Sequence, residues 1–221
     1  MEITLAMVKD NLLVREYMCL GNDYIGNMGA IEHNIHHAET TAQLCYNILT
    51  TLGFPEREAE LGSIAGFLHD LGNLINRYDH GMSGAILAFN ILMELKMDPP
   101  EIATIIGAIG NHEERANGNS VNNVAAALIL ADKSNVHRSR VRKTDIAAFT
   151  PRDRVNYAVT NSRLDIDSEN KVITMNIDID TSVCSVMGFF EIFLTKLVMS
   201  RRAAEYLKCE FELVINGYKL L

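Results

Sequence analysis

No run of about 18 to 20 uninterrupted apolar residues, the length a membrane helix needs, occurs in this sequence, because Lys, Arg, Asp or Glu breaks every apolar stretch. A membrane-spanning helix is thereby excluded. The start Met1-Glu2-Ile3-Thr4 lacks the basic residues and apolar middle of a signal peptide, so the expected location is cytoplasmic. Cysteine is sparse too. Cys19, Cys45, Cys184 and Cys209 stand far apart with no Cys-x-x-Cys spacing, which argues against a zinc knuckle or dithiol redox pair and predicts buried, reduced thiols. Positive charge is in deficit: 20 Lys and Arg against 28 Asp and Glu leave a net charge of -8. General nucleic-acid binding needs the opposite balance, although a local basic patch can still hold a small anion.

What the chain does have is apolar residues at helical spacing. With 221 residues and 48% hydrophobic content it can bury one main core and carry a small appended unit. Apolar periodicity and breakers predict helices over about 4–17, 31–51, 55–70, 80–96, from Pro99-Pro100 through Ile109, and 121–137, with a polar loop over 113–119. After Pro151 the period changes. Leu164 and Ile166 alternate with Asp165 and Asp167, a turn follows at 168–171, and Ile173, Met175, Ile177 and Ile179 alternate again, the pattern of a hairpin. A helix over about 183–208 and a strand through Phe211, Leu213 and Ile215 complete the reading. The expected fold is mainly α, a helical domain over 1–151 with a small β-β-α-β unit over 152–221.

Five of the predicted helices carry a His or Asp on the core-facing stripe. His37 precedes Thr41, Leu44 and Ile48 by about one turn each; His69 follows Ala65 by four; His80 precedes Gly84, Leu87 and Ile91; His112 follows Ile109 by three; Asp132 continues the stripe of Val124 and Leu128. A single core-facing histidine is ordinary. A buried carboxylate is not, because it is costly without a cation, a metal or several donors. With Asp70 beside His69, a metal is the simplest common partner.

The segment Gly66-Phe67-Leu68-His69-Asp70-Leu71-Gly72-Asn73 resembles the signature of the HD superfamily of metal-dependent phosphohydrolases. His37-Ala38-Glu39 upstream and His80-Gly81-Met82-Ser83-Gly84-Ala85, Ile109-Gly110-Asn111-His112-Glu113 and Ala131-Asp132 downstream are similar to the family's other landmarks, in the family's order, over about residues 31–143. The resemblance implies an HD-type helical bundle in which His37, His69, Asp70 and Asp132 hold one ion. It further implies that Asp70 bridges to a second ion on His80 and His112, with Asp70 and His69 at the catalytic centre. An oxygen-and-nitrogen donor set of this kind suits iron or manganese foremost, with zinc, nickel and magnesium compatible. The branch that hydrolyses cyclic di-guanylate would have Lys at Asn73, a second His at Asn111 and Gly-Tyr-Pro where Asn119-Ser120-Val121 stands. The short gap from His69 to His80 is more similar to the compact branch of dinucleoside tetraphosphatases and nucleotidases. The expected activity is therefore hydrolysis of a nucleotide or other small phosphoester by metal-activated water. The alternative is a catalytically weak metal- or nucleotide-binding regulatory module, and a homodimer is compatible with either.

The expected substrate contacts are Lys133, Arg140, Lys143 and His33. Arg140 and Lys143 belong to the basic cluster Arg138-Ser139-Arg140-Val141-Arg142-Lys143. A continued helix would carry both near the Asp132 face; the plainer reading is a solvated helix end. His33 shares a helical face with His37 and, like Glu113, is open to a ligand, substrate-contact or structural role. His36 and His137 read as surface residues.

Overall fold

The computed structural model describes residues 2–114 and 118–221. The chain is mainly α with a small C-terminal α+β unit, as its periodicity predicts. Helix α1 (Leu5–Asp10) and helix α2 (Leu12–Asn27) replace the single first helix expected. Asn11 is the cause: its side chain accepts hydrogen bonds from the Leu13 and Val14 amides, so it caps a new helix where the pattern suggested continuity. Helix α3 (Ile35–Thr51) starts four residues later than expected, because Asn34 accepts from the His37 amide at 3.1 Å and caps it. Helix α4 (Glu56–Leu68) leads through His69 and Asp70 into a 3-10 turn, Leu71–Leu74. Helices α5 (His80–Glu94), α6 (Pro99–Gly110) and α7 (Asn123–Ser134) follow. Of the loop expected over 113–119, residues 115–117 lie outside the described residues.

Helix α7 stops short of its expected end at 137. Beyond it the chain turns through a separate 3-10 segment, Arg138–Arg140, capped by the His137 side chain, so Arg140 and Lys143 are not carried on a continuation of α7. A further helix that the sequence reading missed, α8 (Pro151–Ala158), is set by a capping box in which Thr150 and Asp153 each accept from the other's backbone amide. Strands β1 (Val159–Asp167) and β2 (Val172–Ile179) form the expected antiparallel hairpin. Helix α9 (Val186–Tyr206) then crosses over to β3 (Glu210–Ile215), parallel to β2. A two-residue strand β4 (Tyr218–Lys219) closes a hairpin on β3 through Asn216 and Gly217, both at positive φ (51° and 80°), as a tight two-residue turn requires. The sheet order is β1-β2-β3-β4.

Helix α7 runs through the middle. Every side chain from Val124 to Ala131 is fully buried, and its alanines let α3, α4, α6 and α9 pack around it. Cys45, Cys184 and Cys209 are buried as expected, whereas Cys19 is exposed. No described helix is long and apolar enough to cross a membrane.

The approach of α3 to α4 sets His37, in the first turn of one, beside His69, at the end of the other, and it depends on Gly66. A methyl group there would lie 2.9 Å from both the amide nitrogen and Cα of Ala42 and 3.0 Å from the Thr41 carbonyl oxygen. These are backbone atoms of α3 that cannot yield by a rotamer change. Gly66→Ala is therefore expected to destabilise the fold by about 2 kcal/mol, mid-range for overpacking, seen as a lower urea midpoint at unchanged slope.

Candidate metal centre

The six expected ligands come together where helix ends converge. His37 lies in the first turn of α3, His69 caps α4 with Asp70 next to it, His80 opens α5, His112 follows the end of α6, and Asp132 is in the last turn of α7. His37, His69, Asp70, His80 and His112 are buried, and Asp132 nearly so. Asp70 stands between two groups of donors. Its Oδ2 is 3.4 Å from His37 Nε2 and 3.2 Å from His69 Nε2, while its Oδ1 is 3.4 Å from His80 Nε2. Asp132 Oδ1 faces the first group, 3.5 Å from His37 Nε2 and 3.7 Å from His69 Nε2. The donor atoms of His37, His69 and Asp70, of His69, His112 and Asp132, and of Asp70, His80 and His112 each lie within 4.8 Å of one another.

Hydrogen bonding fits these residues to a metal. Nδ1 of His69 is 2.7 Å from the Gly66 carbonyl oxygen, Nδ1 of His112 is 2.6 Å from that of Ile109, and Nδ1 of His80 is 3.2 Å from that of Arg77. A carbonyl oxygen only accepts, so in each ring Nδ1 carries a proton, which leaves Nε2 as the atom that faces inward. Such second bonds orient metal-ligating histidines. The inward atoms lack adequate partners. His37 Nε2, His69 Nε2 and Asp70 Oδ2 are buried with no well-formed hydrogen bond, their nearest counterparts being one another at 3.2 to 3.4 Å. His80 and His112 bring their Nε2 atoms to 3.1 Å, and an Arg77 guanidinium nitrogen is 3.4 Å from the His80 Nε2.

Electrostatics shape the same centre. Burial disfavours ionisation of Asp70, but the imidazoles of His69, His33 and His37 outweigh it and hold the carboxyl well below its usual range. Asp132 is likewise held down against burial, by Lys133, His37 and His69. His69 is pushed the other way: burial opposes its protonation, yet Asp70 and Asp132 raise it to about 10. Burial lowers His33, His37 and His112. Around the ligands, Asn73 donates to Asp70 Oδ1 at 2.9 Å and accepts from Arg77 at 3.1 Å. Asn73 thus orients the carboxylate. Glu113 Oε2 is 3.2 Å from His80 Nδ1, behind that ring.

A cavity of about 260 Å³ opens over Asp70, His80 and Asp132, and His33, Lys133 and Arg140 are in its wall. Arg140 reaches it without a longer α7, because the loop after α7 folds back onto 30–33, with Arg140 donating to the carbonyls of Glu32 at 3.0 Å and Asn135 at 2.6 Å. Burial brings its pKa down to about 10. Lys133 is held between Asp132 at 2.5 Å and Glu114 at 3.0 Å; burial opposes its charge, but the two carboxylates raise it to about 12. Lys143 is placed elsewhere, on Asp153 at 2.6 Å, and is not among the cavity residues. His36 is exposed, whereas His137 is half-buried with Nε2 3.0 Å from the Thr160 carbonyl.

Arg77, Arg152 and Lys196 also line the cavity and were not anticipated. For Lys196 a signal existed: it falls among Phe189, Phe193 and Leu197 on the buried stripe of α9, and its ammonium lies 4.6 Å over the Phe193 ring. Burial lowers it to about 8. The C-terminal unit therefore contributes a cation to the cavity beside the His/Asp cluster.

No protein-family model matches the chain, and no curated protein matches it. What fold and site define is a helical bundle with a buried His/Asp cluster that could bind a metal, an arrangement compatible with an HD-like site.

Proposed function

We propose that this chain is a metal-dependent phosphohydrolase of the HD kind, acting on a nucleotide or other small phosphoester. One observation carries the reading: the under-partnered His/Asp cluster opens onto a cavity walled by Arg77, Lys133, Arg140, Arg152 and Lys196, in a chain whose net charge is -8. The same wall holds the carboxylates Asp70, Glu113, Glu114 and Asp132, with Lys133 paired to two of them; its arginines suit phosphate oxygens in two-point contact. His37, His69, Asp70 and Asp132 would hold one ion, and His80 and His112 a second shared through Asp70. A divalent ion bound there supplies Lewis acidity and strengthens water as a nucleophile at neutral pH. The protein's own part is positional: Asn73 and Glu113 keep Asp70 and His80 oriented, and Arg140, fixed at two nitrogens by backbone carbonyls, presents a preset cationic surface to the substrate.

Elemental analysis of protein purified without chelator should find one or two ions per chain, with iron or manganese foremost. The metal-loaded protein should hydrolyse members of a phosphoester and nucleotide panel. Full metal loading with no hydrolysis across that panel would make the chain a metal-binding regulatory module instead. Arg140→Ala should raise KM for a phosphate-rich nucleotide by about tenfold, close to 1.4 kcal/mol, with a smaller change for a simple aryl phosphate. Equal changes for both substrates would reduce Arg140 to a tether for its loop.

A further inference from the structure

Helix α5 is apolar on two faces. One face packs inward through Gly84, Ala88, Ile91 and Leu92, with α6 against it. The other carries Met82 (59% exposed), Ile86 (64%), Phe89 (42%) and Met93 (49%). From His80 to Met93 there is no Lys, Arg, Asp or Glu, in a chain of which 22% is charged. An outward helix face is normally where charge accumulates, and a contiguous apolar stripe without it marks a contact surface.

The spacing of the stripe selects its occupant. Steps of four, three and four residues from Met82 to Met93 are those of a helix-pairing seam. The stripe is also symmetric about the midpoint between Leu87 and Ala88. A second copy of α5, turned antiparallel about a two-fold axis through that point, sets Met82 against the partner's Met93 and Ile86 against the partner's Phe89. The same register extends to charge. Asp79, exposed at the N-terminal cap, falls opposite the partner's Lys96; Lys96, exposed just past the C-terminal cap, falls opposite the partner's Asp79. One operation thus pairs the four apolar side chains with one another and each flanking charge with its opposite, residue i meeting j and j meeting i, the self-complementarity that an isologous contact demands. We propose that α5 is the seam of a two-fold antiparallel homodimer of this chain, in this register. The proposal does not depend on the phosphohydrolase reading.

A seam of about three turns is small beside standard interfaces, so dissociation constants of roughly 1–100 µM are expected. Sedimentation of the full-length chain across that range should show a reversible monomer–dimer equilibrium. Phe89→Glu should weaken it by tenfold or more, with the circular dichroism spectrum unchanged and the melting temperature unchanged at concentrations well below the dissociation constant, where both proteins are monomers. The register has its own test in a Cys19→Ser background, which removes the exposed native thiol. A mixture of Met82→Cys and Met93→Cys chains should form an intermolecular disulfide on mild oxidation. Neither variant alone should do so, since like positions would stand about 16 Å apart along the seam, beyond the reach of a disulfide. A chain that stays monomeric throughout, a dimer indifferent to Phe89→Glu, or equal cross-linking by either variant alone would overturn the proposal.

Discussion

Asp70→Ala is expected to lower kcat/KM of the metal-loaded protein for a phosphoester by about a thousandfold or more, roughly 4 kcal/mol of lost transition-state stabilisation, while leaving the bundle folded. The magnitude follows from position. Among the described residues Asp70 alone turns its two oxygens to different groups of histidines, His37 and His69 on one side and His80 on the other. Without it, His37 and His69 keep the Asp132 carboxylate, but no carboxylate joins them to His80. The helix ends that surround Asp70 are held by packing that its side chain does not supply, Gly66 against α3 and the buried length of α7 among them. Asp70→Ala combined with His69→Ala should lose little more than either change alone, as residues acting as one unit do. Steady-state kinetics with circular dichroism on the three variants is the measurement. A folded Asp70→Ala protein with wild-type activity would refute the placement of the reaction at this cluster.

How far the sequence alone reaches is clearest at the same residues. His37, His69, His80, His112 and Asp132 were legible because each extends a core-facing stripe, and a stripe determines direction before any tertiary contact is known. Asp70 could be added because it adjoins His69. The cavity wall was less accessible. Arg140 was named, but on the premise of a longer α7; its true position comes from pairing with Glu32, 108 residues away, which no local pattern encodes. Lys143 failed on the same premise, because Asp153 captures it. Lys196 and Arg152 belong to the C-terminal unit, and local periodicity does not say which face of α7 that unit will cover. Two local signals were readable and passed over. Asn11 followed by a fresh apolar period marks a cap between α1 and α2, and Thr150-Pro151 with Asp153 at the third helical position marks the start of α8.

Removing the metal and returning it at different pH values should have the other large effect, and its sign can be worked out from His69. In the metal-free protein Asp70 and Asp132 raise this imidazole, against the pull of burial, from 6.5 to about 10, so at neutral pH it carries a second proton on Nε2. The stability this protonation contributes is fully present below pH 6.5 and is lost as pH rises through about 10. The two carboxylates, held below their usual 3.8, contribute stability that is present above that value and lost as pH falls through their depressed native range. A metal ion needs the Nε2 lone pair, so binding must expel the His69 proton, and affinity should rise with pH by up to about 1.4 kcal/mol per unit between pH 6.5 and 9. At a free ion concentration of roughly 1,000 times Kd the stabilisation is about 4 kcal/mol, which for a chain of this size is a rise of roughly 8 to 16 °C in melting temperature. Calorimetric melting of chelator-treated protein, with and without Mn²⁺ at a fixed concentration, should show the gap between the two widening from pH 6.5 to 8. Titrations in buffers of different ionisation enthalpy should show close to one proton released per ion bound at the His69 site. His69→Ala should abolish both the widening and the release. A gap that stays constant or narrows with pH would mean that His69 does not surrender a proton to the metal, and the assignment of its Nε2 as a ligand would fall.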